Sequence, residues 1–186
     1  MQSERDEGEL IRAARNGDRD AFAQLYESHV GRVYGYLLSR LRQPADAEDV
    51  TAEVFIRAMK ALRSYKPRGV PFVAWLVRIA HNEAVNYTKR QARRGEVQMV
   101  DVVGDADGPE ASALRQGALG EVADAMEGLT ERQRRVLQLR FAAELSISET
   151  AEAMDRSEGA VKFLQFSALR AVRRVLDRRQ PSNHGR

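Results

Sequence analysis

Five side chains could work together on a nucleic acid: Arg78, Asn82, Asn86, Lys89 and Arg93, spaced four, four, three and four residues apart. On a helix this spacing puts them on one face. Amides reach base edges and cations hold phosphates, so such a row suits a nucleic-acid strand. The only Trp, Trp75, lies one turn before this row. It is either a core residue or a platform on which unpaired bases stack. A second row, Asp49, Glu53, Arg57 and Lys60, follows the same spacing rule and forms a charged stripe. Glu53 and Arg57 make a good i,i+4 pair, so the stripe is either a self-paired solvated face or a docking surface. A third set sits near the other end of the chain: Lys162, Phe163, Gln165 and Phe166, with Arg170, Arg173 and Arg174 behind them. Gln can pair with adenine, Phe can pack on a thymine methyl, and the arginines are spaced to meet phosphates.

Other chemistries have little to build on. There is no Cys, which removes disulfides, thiolate metal sites and thiol catalysis. His29 lies beside an apolar stripe with no second ligand at metal spacing and reads as a boundary residue. The paired carboxylates Glu48 and Asp49 fall at an exposed helix start, and no Ser/His/Asp set or phosphate-binding glycine loop occurs. His184 carries no signal. The expectation is a protein that is not an enzyme and needs no cofactor or metal.

The elements that position these rows are helical nearly throughout, and strand-type alternation is missing. A short helix over 6–15 stops at Asn16-Gly17, and Asp18 can cap the next one. In that helix Phe22, Leu25, Tyr26, Val30, Val33, Tyr34, Leu37, Leu38 and Leu41 make one buried stripe. Gln43-Pro44 breaks the chain. Asp46, Glu48 and Asp49 then favour a helix start, and Val50, Val54, Phe55, Ala58 and Leu62 bury its inner face. Residues 65–71 read as a loop, with Pro71 opening the helix that carries Arg78 to Arg93. Leu76, Ile79, Ala80, Ala84 and Tyr87 face inward there.

Near the end, Thr130 with Gln133 and Ser146 with Glu149 fit two capping boxes. The second opens a short helix, ISETAEAM. A tight turn at Asp155-Arg156-Ser157 follows, and then a long basic helix from Glu158. A short helix, a three-residue turn and a longer basic helix make a helix-turn-helix.

Charge and composition separate the parts. The chain of 186 residues suits one or two small domains. Residues 1–94 carry 17 Lys/Arg against 12 Asp/Glu, residues 95–128 one against eight, and residues 129–186 12 against seven. Two basic blocks thus flank an acidic one, and basic blocks suit a polyanion partner. The expected organisation is all-α: a helical domain at 1–94, a flexible acidic linker at 95–120, a second helical domain at 121–180 and a disordered tail at 181–186. No apolar run is long enough to span a membrane, and the acidic N-terminus is unlike a targeting signal. A cytoplasmic protein is expected.

The runs LYESHVGRVYGYLL, DAEDVTAEVFIRAMKAL and PRGVPFVAWLVRIAHNEA, followed by LTERQRRVLQLRF and by LSISETAEAM with SEGAVK, resemble bacterial RNA polymerase sigma factors of the extracytoplasmic-function type. The resemblance covers about residues 10–94 and 121–178. It implies a first domain that binds the beta-prime clamp helices of core polymerase and captures melted minus-10 DNA. It implies a second that binds the beta flap and reads the minus-35 element. Asp49, Glu53 and Arg57 would face polymerase. Tyr65, Arg68, Phe72, Trp75, Arg78, Asn82, Asn86 and Lys89 would meet minus-10 DNA, with a flipped base pocketed by the 65–71 loop. Arg140, Ser157, Lys162, Phe163, Gln165, Phe166 and Arg170 would meet the minus-35 element. An anti-sigma protein is a further partner the resemblance implies. The chain departs from the family at Met59, where a Trp is frequent, and over 163–167, where two usual bases are replaced. A stand-alone helix-turn-helix repressor is the alternative reading.

Overall fold

A computed structural model describes residues 2–65, 70–94 and 126–179. Among the described residues every regular element is helical. The expected linker and tail, and Arg68 in the loop, lie outside the described residues.

Helix α1 (Gln2–Arg15) starts earlier than the pattern suggests and ends at Gly17, whose φ of 99° is a left-handed turn that glycine adopts without strain. The Asp18 carboxylate caps α2 (Arg19–Leu41), accepting from the backbone N–H groups of Asp20 and Ala21, both at 3.0 Å. Such a cap contributes about 1 kcal/mol. Arg42 ends α2 in the left-handed region, with its N–H returned to the Leu38 carbonyl. Pro44 then occupies the first turn of α3 (Pro44–Ala61), where a missing N–H is harmless. A short 3-10 turn (Leu62–Ser64) leads toward α4 (Phe72–Arg94).

Helices α2, α3 and α4 pack together around Leu25, Val33, Leu37, Val50, Val54, Phe55, Ala58, Phe72, Leu76, Val77, Ala80 and Ala84. The sequence pattern places most of these inside but errs at three positions on α2. Tyr26 is 41% exposed, whereas Tyr36, off the expected stripe, is fully buried. His29 is also buried rather than at a boundary. Its Nε2 meets the Glu7 carboxylate at 2.8 Å, and its ring lies edge-on to Phe72.

In the C-terminal part, α5 (Glu131–Leu137) is capped by the Thr130–Gln133 box and runs on into a π-helical turn, Gln138–Ala142. The extra residue in that turn shifts the helical register. Phe141, which follows Val136, Leu137 and Leu139 in sequence, ends 60% exposed. Helix α6 (Ile147–Met154) starts at the Ser146–Glu149 box and stops at Asp155, whose φ is 54°. Helix α7 (Glu158–Arg179) follows. Leu129, Val136, Leu137, Ala151, Val161 and Ala168 form a second core. Helix α6 is shared between the two cores: Ala151 faces this one, Ala153 faces the first, and Met154 touches both.

Candidate nucleic-acid interface

Helix α4 presents Asn82, Asn86 and Lys89 as exposed side chains, as the spacing requires. Arg78, one turn earlier, is only partly exposed, and its guanidinium donates to the Glu152 carbonyl on α6. The aromatic members of the expected minus-10 set lie elsewhere. Phe72 is 1% exposed and Tyr65 4%, so both are core residues rather than groups at the surface. They pack edge-on with ring centroids 5.5 Å apart, and Trp75 lies 4.9 Å from Tyr65 and 5.4 Å from Phe72. The Tyr65 hydroxyl donates to the Val70 carbonyl at 2.7 Å, tying the two ends of the 65–71 loop together. Burial, with Glu7 nearby, pushes this phenol up to about 12. Tyr65 and Phe72 therefore form the floor on which the partly exposed Trp75 rests.

On α3, Asp49 and Arg57 are exposed and Glu53 partly so. The expected Glu53–Arg57 pair is replaced by two pairs that cross to α4. Glu53 meets Arg90 at 3.3 Å, and Arg57 meets Glu83 at 3.0 Å. Glu83 is almost fully buried, and its contact with Arg57 is ionic, without an aligned hydrogen bond. Sequence spacing within one helix could not reveal partners on the next. The outer side of this region carries exposed apolar groups: Tyr26 on α2, with Ile56 and Met59 on α3.

In the C-terminal part, α7 opens with Ser157, whose Oγ accepts from the Ala160 N–H at 3.2 Å and so works as a helix cap. Lys162 is exposed and loosely paired with Glu158 at 3.5 Å. Phe163, Phe166 and Leu169, three residues apart, are 71%, 64% and 42% exposed. Arg170 is exposed as well. The three side chains make a continuous exposed apolar strip along the helix, the kind of surface at which contact sites are found. Arg140 points inward instead: it donates to the Leu145 carbonyl, and its Nε donates to the Gln165 Oε1 at 3.0 Å. This holds the Gln165 amide in one orientation. Its oxygen is engaged, and its NH2 has no partner among the described residues.

Residues that no local sequence pattern marks gather where the two parts meet. His81 Nδ1 lies 2.9 Å from the Tyr36 hydroxyl. Burial, then the nearby Arg135 and Arg40, lower this imidazole from its usual range to about 4. Burial also raises the Tyr36 phenol. Among the described residues no three His, Asp or Glu side chains converge as metal ligands would, and no helix is long and apolar enough to cross a membrane.

Comparison with known proteins assigns both parts. The family model described as Sigma-70 region 2 matches residues 25–94, and that described as Sigma-70, region 4 matches residues 125–174. The chain is 37% identical over 171 residues to the ECF RNA polymerase sigma factor BldN of Streptomyces coelicolor, covering 90% of this chain and 65% of that longer protein. It is 30% identical over 179 residues to the ECF RNA polymerase sigma factor SigK of Mycobacterium ulcerans, covering 90% of this chain and 92% of that one. Among solved structures, CnrH in complex with the cytosolic domain of CnrY superposes with a TM-score of 0.70 at 25% identity, covering 92% of this chain and 97% of that one.

Proposed function

This chain belongs to the extracytoplasmic-function group of the sigma-70 family of RNA polymerase sigma factors, and from that premise we propose how its two modules divide the work. The chain binds core polymerase and directs promoter recognition, melting and initiation. Its role is regulatory, and the nucleotidyl transfer belongs to polymerase. The single observation that carries the division is that each module keeps one contact face open. On α4 this is the amide and lysine row; on α7 it is the Phe163 to Arg170 face.

The N-terminal module, residues 1–94, docks polymerase through the α3 face around Asp49, Glu53 and Arg57, extended by the exposed Ile56 and Met59. Its α4 row then holds the opened minus-10 strand, with Trp75 beside the loop that takes a base out of the stack. Extrusion costs a few kcal/mol, least where DNA already unpairs easily, and this couples melting to recognition. The C-terminal module, residues 121–180, binds the beta flap and sets α7 in the major groove at minus-35. Lys162, Phe163, Gln165 and Phe166 meet bases there and Arg170 meets phosphate. With its oxygen held by Arg140, Gln165 acts chiefly as a donor toward a base acceptor. The work is cytoplasmic, where polymerase and chromosome meet. An anti-sigma protein is a further partner in this reading, since the similar protein CnrH was solved bound to a second protein, the cytosolic domain of CnrY; a pull-down from native cells that returned only polymerase would count against it.

The stand-alone repressor reading is not favoured, because the N-terminal part matches a sigma region and not a dimerisation element. Run-off transcription with core polymerase on a promoter library tests the assignment. Asn82→Ala should change minus-10 preference or melting, while Arg173→Ala should weaken binding evenly across sequences. An Asn82→Ala protein with unchanged promoter choice and melting would remove the α4 assignment.

A further inference from the structure

We propose that Arg140 is a positioning residue for minus-35 readout. It holds the Gln165 amide with its NH2 outward, so that Gln165 selects a base carrying a keto oxygen, thymine or guanine, over adenine or cytosine. The inference deepens the sigma-factor reading above, since it rests on α7 lying in the major groove. Arg140 stands in the π-helical turn, and a guanidinium has donors only. The Gln165 atom that meets its Nε at 3.0 Å is therefore the oxygen, and the amide has one orientation. Arg140 is fixed at a second edge, where Nη1 donates to the Leu145 carbonyl. That carbonyl belongs to buried backbone: Leu145 is fully buried, and its N–H donates to the Leu139 carbonyl at 3.0 Å. Helix α7 is held independently on both sides of Gln165. Val161 and Ala168 lie in the second core, and Gln133 on α5 donates from Nε2 to the Ser167 Oγ at 3.2 Å. The Gln165 side chain is partly exposed, and its NH2 is neither buried nor bonded among the described residues.

A free Gln amide reads adenine with both ends: the oxygen accepts from N6 and the NH2 donates to N7. The oxygen and the NH2 stand on opposite sides of a planar amide. Turning the oxygen to Arg140 leaves the NH2 as the group facing away. A donor alone meets thymine O4, or guanine O6 and N7, without conflict. Against adenine N6 or cytosine N4 it sets donor against donor, and a polar group at the interface goes unpaired. Every base pair has one keto and one amino base, so the preference fixes which strand carries the keto base beneath Gln165. The pairing with adenine that the residue type alone suggests gives way to this preference. Backbone, guanidinium and amide are in place before DNA arrives, so little rotamer freedom is lost on binding. One such donor should discriminate by about fivefold, the size of one net hydrogen bond.

Run-off transcription by the full-length chain with core polymerase, on a library randomised across the minus-35 element, tests this. The parent should favour thymine or guanine over adenine or cytosine about fivefold at one position of one strand. Gln165→Glu keeps an oxygen for Arg140 but has no NH2. It should invert the preference at that position alone, toward adenine or cytosine. Its charge should weaken binding equally at all sequences, which leaves the ratio between bases as the readout. Arg140→Met removes the donors and frees the amide to turn. It should relax the same position, with adenine gaining most, because both ends of the amide are then available. In the free chain the Arg140 Nε–H should exchange slowly with solvent by NMR. Exchange should stay slow in Gln165→Glu and become fast in Gln165→Ala. An adenine preference in the parent overturns the proposal. So does a Gln165→Glu protein in which no position inverts, or a keto preference that survives in Arg140→Met. If the parent supports no transcription at all, the sigma-factor reading fails, while fast exchange at Arg140 Nε in the free parent overturns the positioning by itself.

Discussion

Glu83 lies 2% exposed beneath Arg57, on a helix face that would otherwise be wholly apolar. Arg57 therefore has a structural task as well as its proposed one toward polymerase. Removing it strands a buried carboxylate, whereas Arg57 itself is half exposed and its charge is screened. Arg57→Ala should cost about 1–3 kcal/mol in urea denaturation, and adding Glu83→Gln should recover most of that loss. If the double variant regains stability yet still binds core polymerase weakly, the polymerase contact stands on its own; recovery of both would leave only the structural task. His81 gives a second residue-scale expectation. It faces Tyr36 and Arg40 on α2 and Arg135 and Glu131 on α5, and its folded pKa is lowered to about 4 from 6.5. The unfolded or undocked form binds a proton more readily, so the stabilisation from neutral His81 is complete above 6.5. It is lost as pH falls from there toward about 4. Stability measured across that window should drop, and His81→Gln should flatten the slope. An unchanged slope would show that other groups set the acid response.

At the scale of elements, α7 illustrates a residue with two demands on it. Ser157 caps the helix and was also expected to meet DNA. Ser157→Ala should cost about 1 kcal/mol of stability through the lost cap. Ser157→Asp keeps a capping oxygen but adds a negative charge. If Ser157 lies against DNA, the Asp variant should melt like the parent while losing minus-35 binding; parental binding would restrict Ser157 to capping. The boundaries of this helix-turn-helix were legible because every signal in it is local: Ser146 with Glu149, the turn at Asp155, and apolar positions at helical spacing. The outward row on α4 was legible for the same reason. Aromatic residues were not, since Phe72 and Trp75 sit on the same helix start and the pattern alone does not tell the buried ring from the partly exposed one. Tyr36, His81 and Ala153 were not legible either. Each is covered, fully for Tyr36 and Ala153 and in part for His81, by an element far away in the chain, and a helical wheel shows an apolar stripe without showing how many partners cover it.

Across the whole molecule, two kinds of force respond differently to salt, and this separates docking from DNA binding. The docked modules share ion pairs, Arg32–Glu149, Arg40–Glu131 and Arg42–Glu127, but also the buried Leu139, Ala143, Leu145 and Ala153. Partly exposed pairs contribute at most about 1 kcal/mol each and are screened at high ionic strength. Burial of a Leu contributes about 1.5–3 kcal/mol and is not screened. DNA binding rests on Lys and Arg against phosphates and falls steeply as salt rises, because counterions are released. Two weak grips act together only when polymerase holds both modules, through effective concentration. The free chain should thus bind promoter DNA poorly at moderate salt. Raising salt from about 0.05 to about 0.5 M should remove the remaining DNA binding, while energy transfer between dyes on Ser28→Cys and Ser148→Cys, two exposed sites beside the Arg32–Glu149 pair in a chain without Cys, stays high. Loss of transfer along with DNA binding would mean that the ion pairs, and not the shared apolar contact, hold the modules together. Tight, sequence-specific binding by the free chain at moderate salt would contradict the division of work between modules, because the two grips would then act together without polymerase.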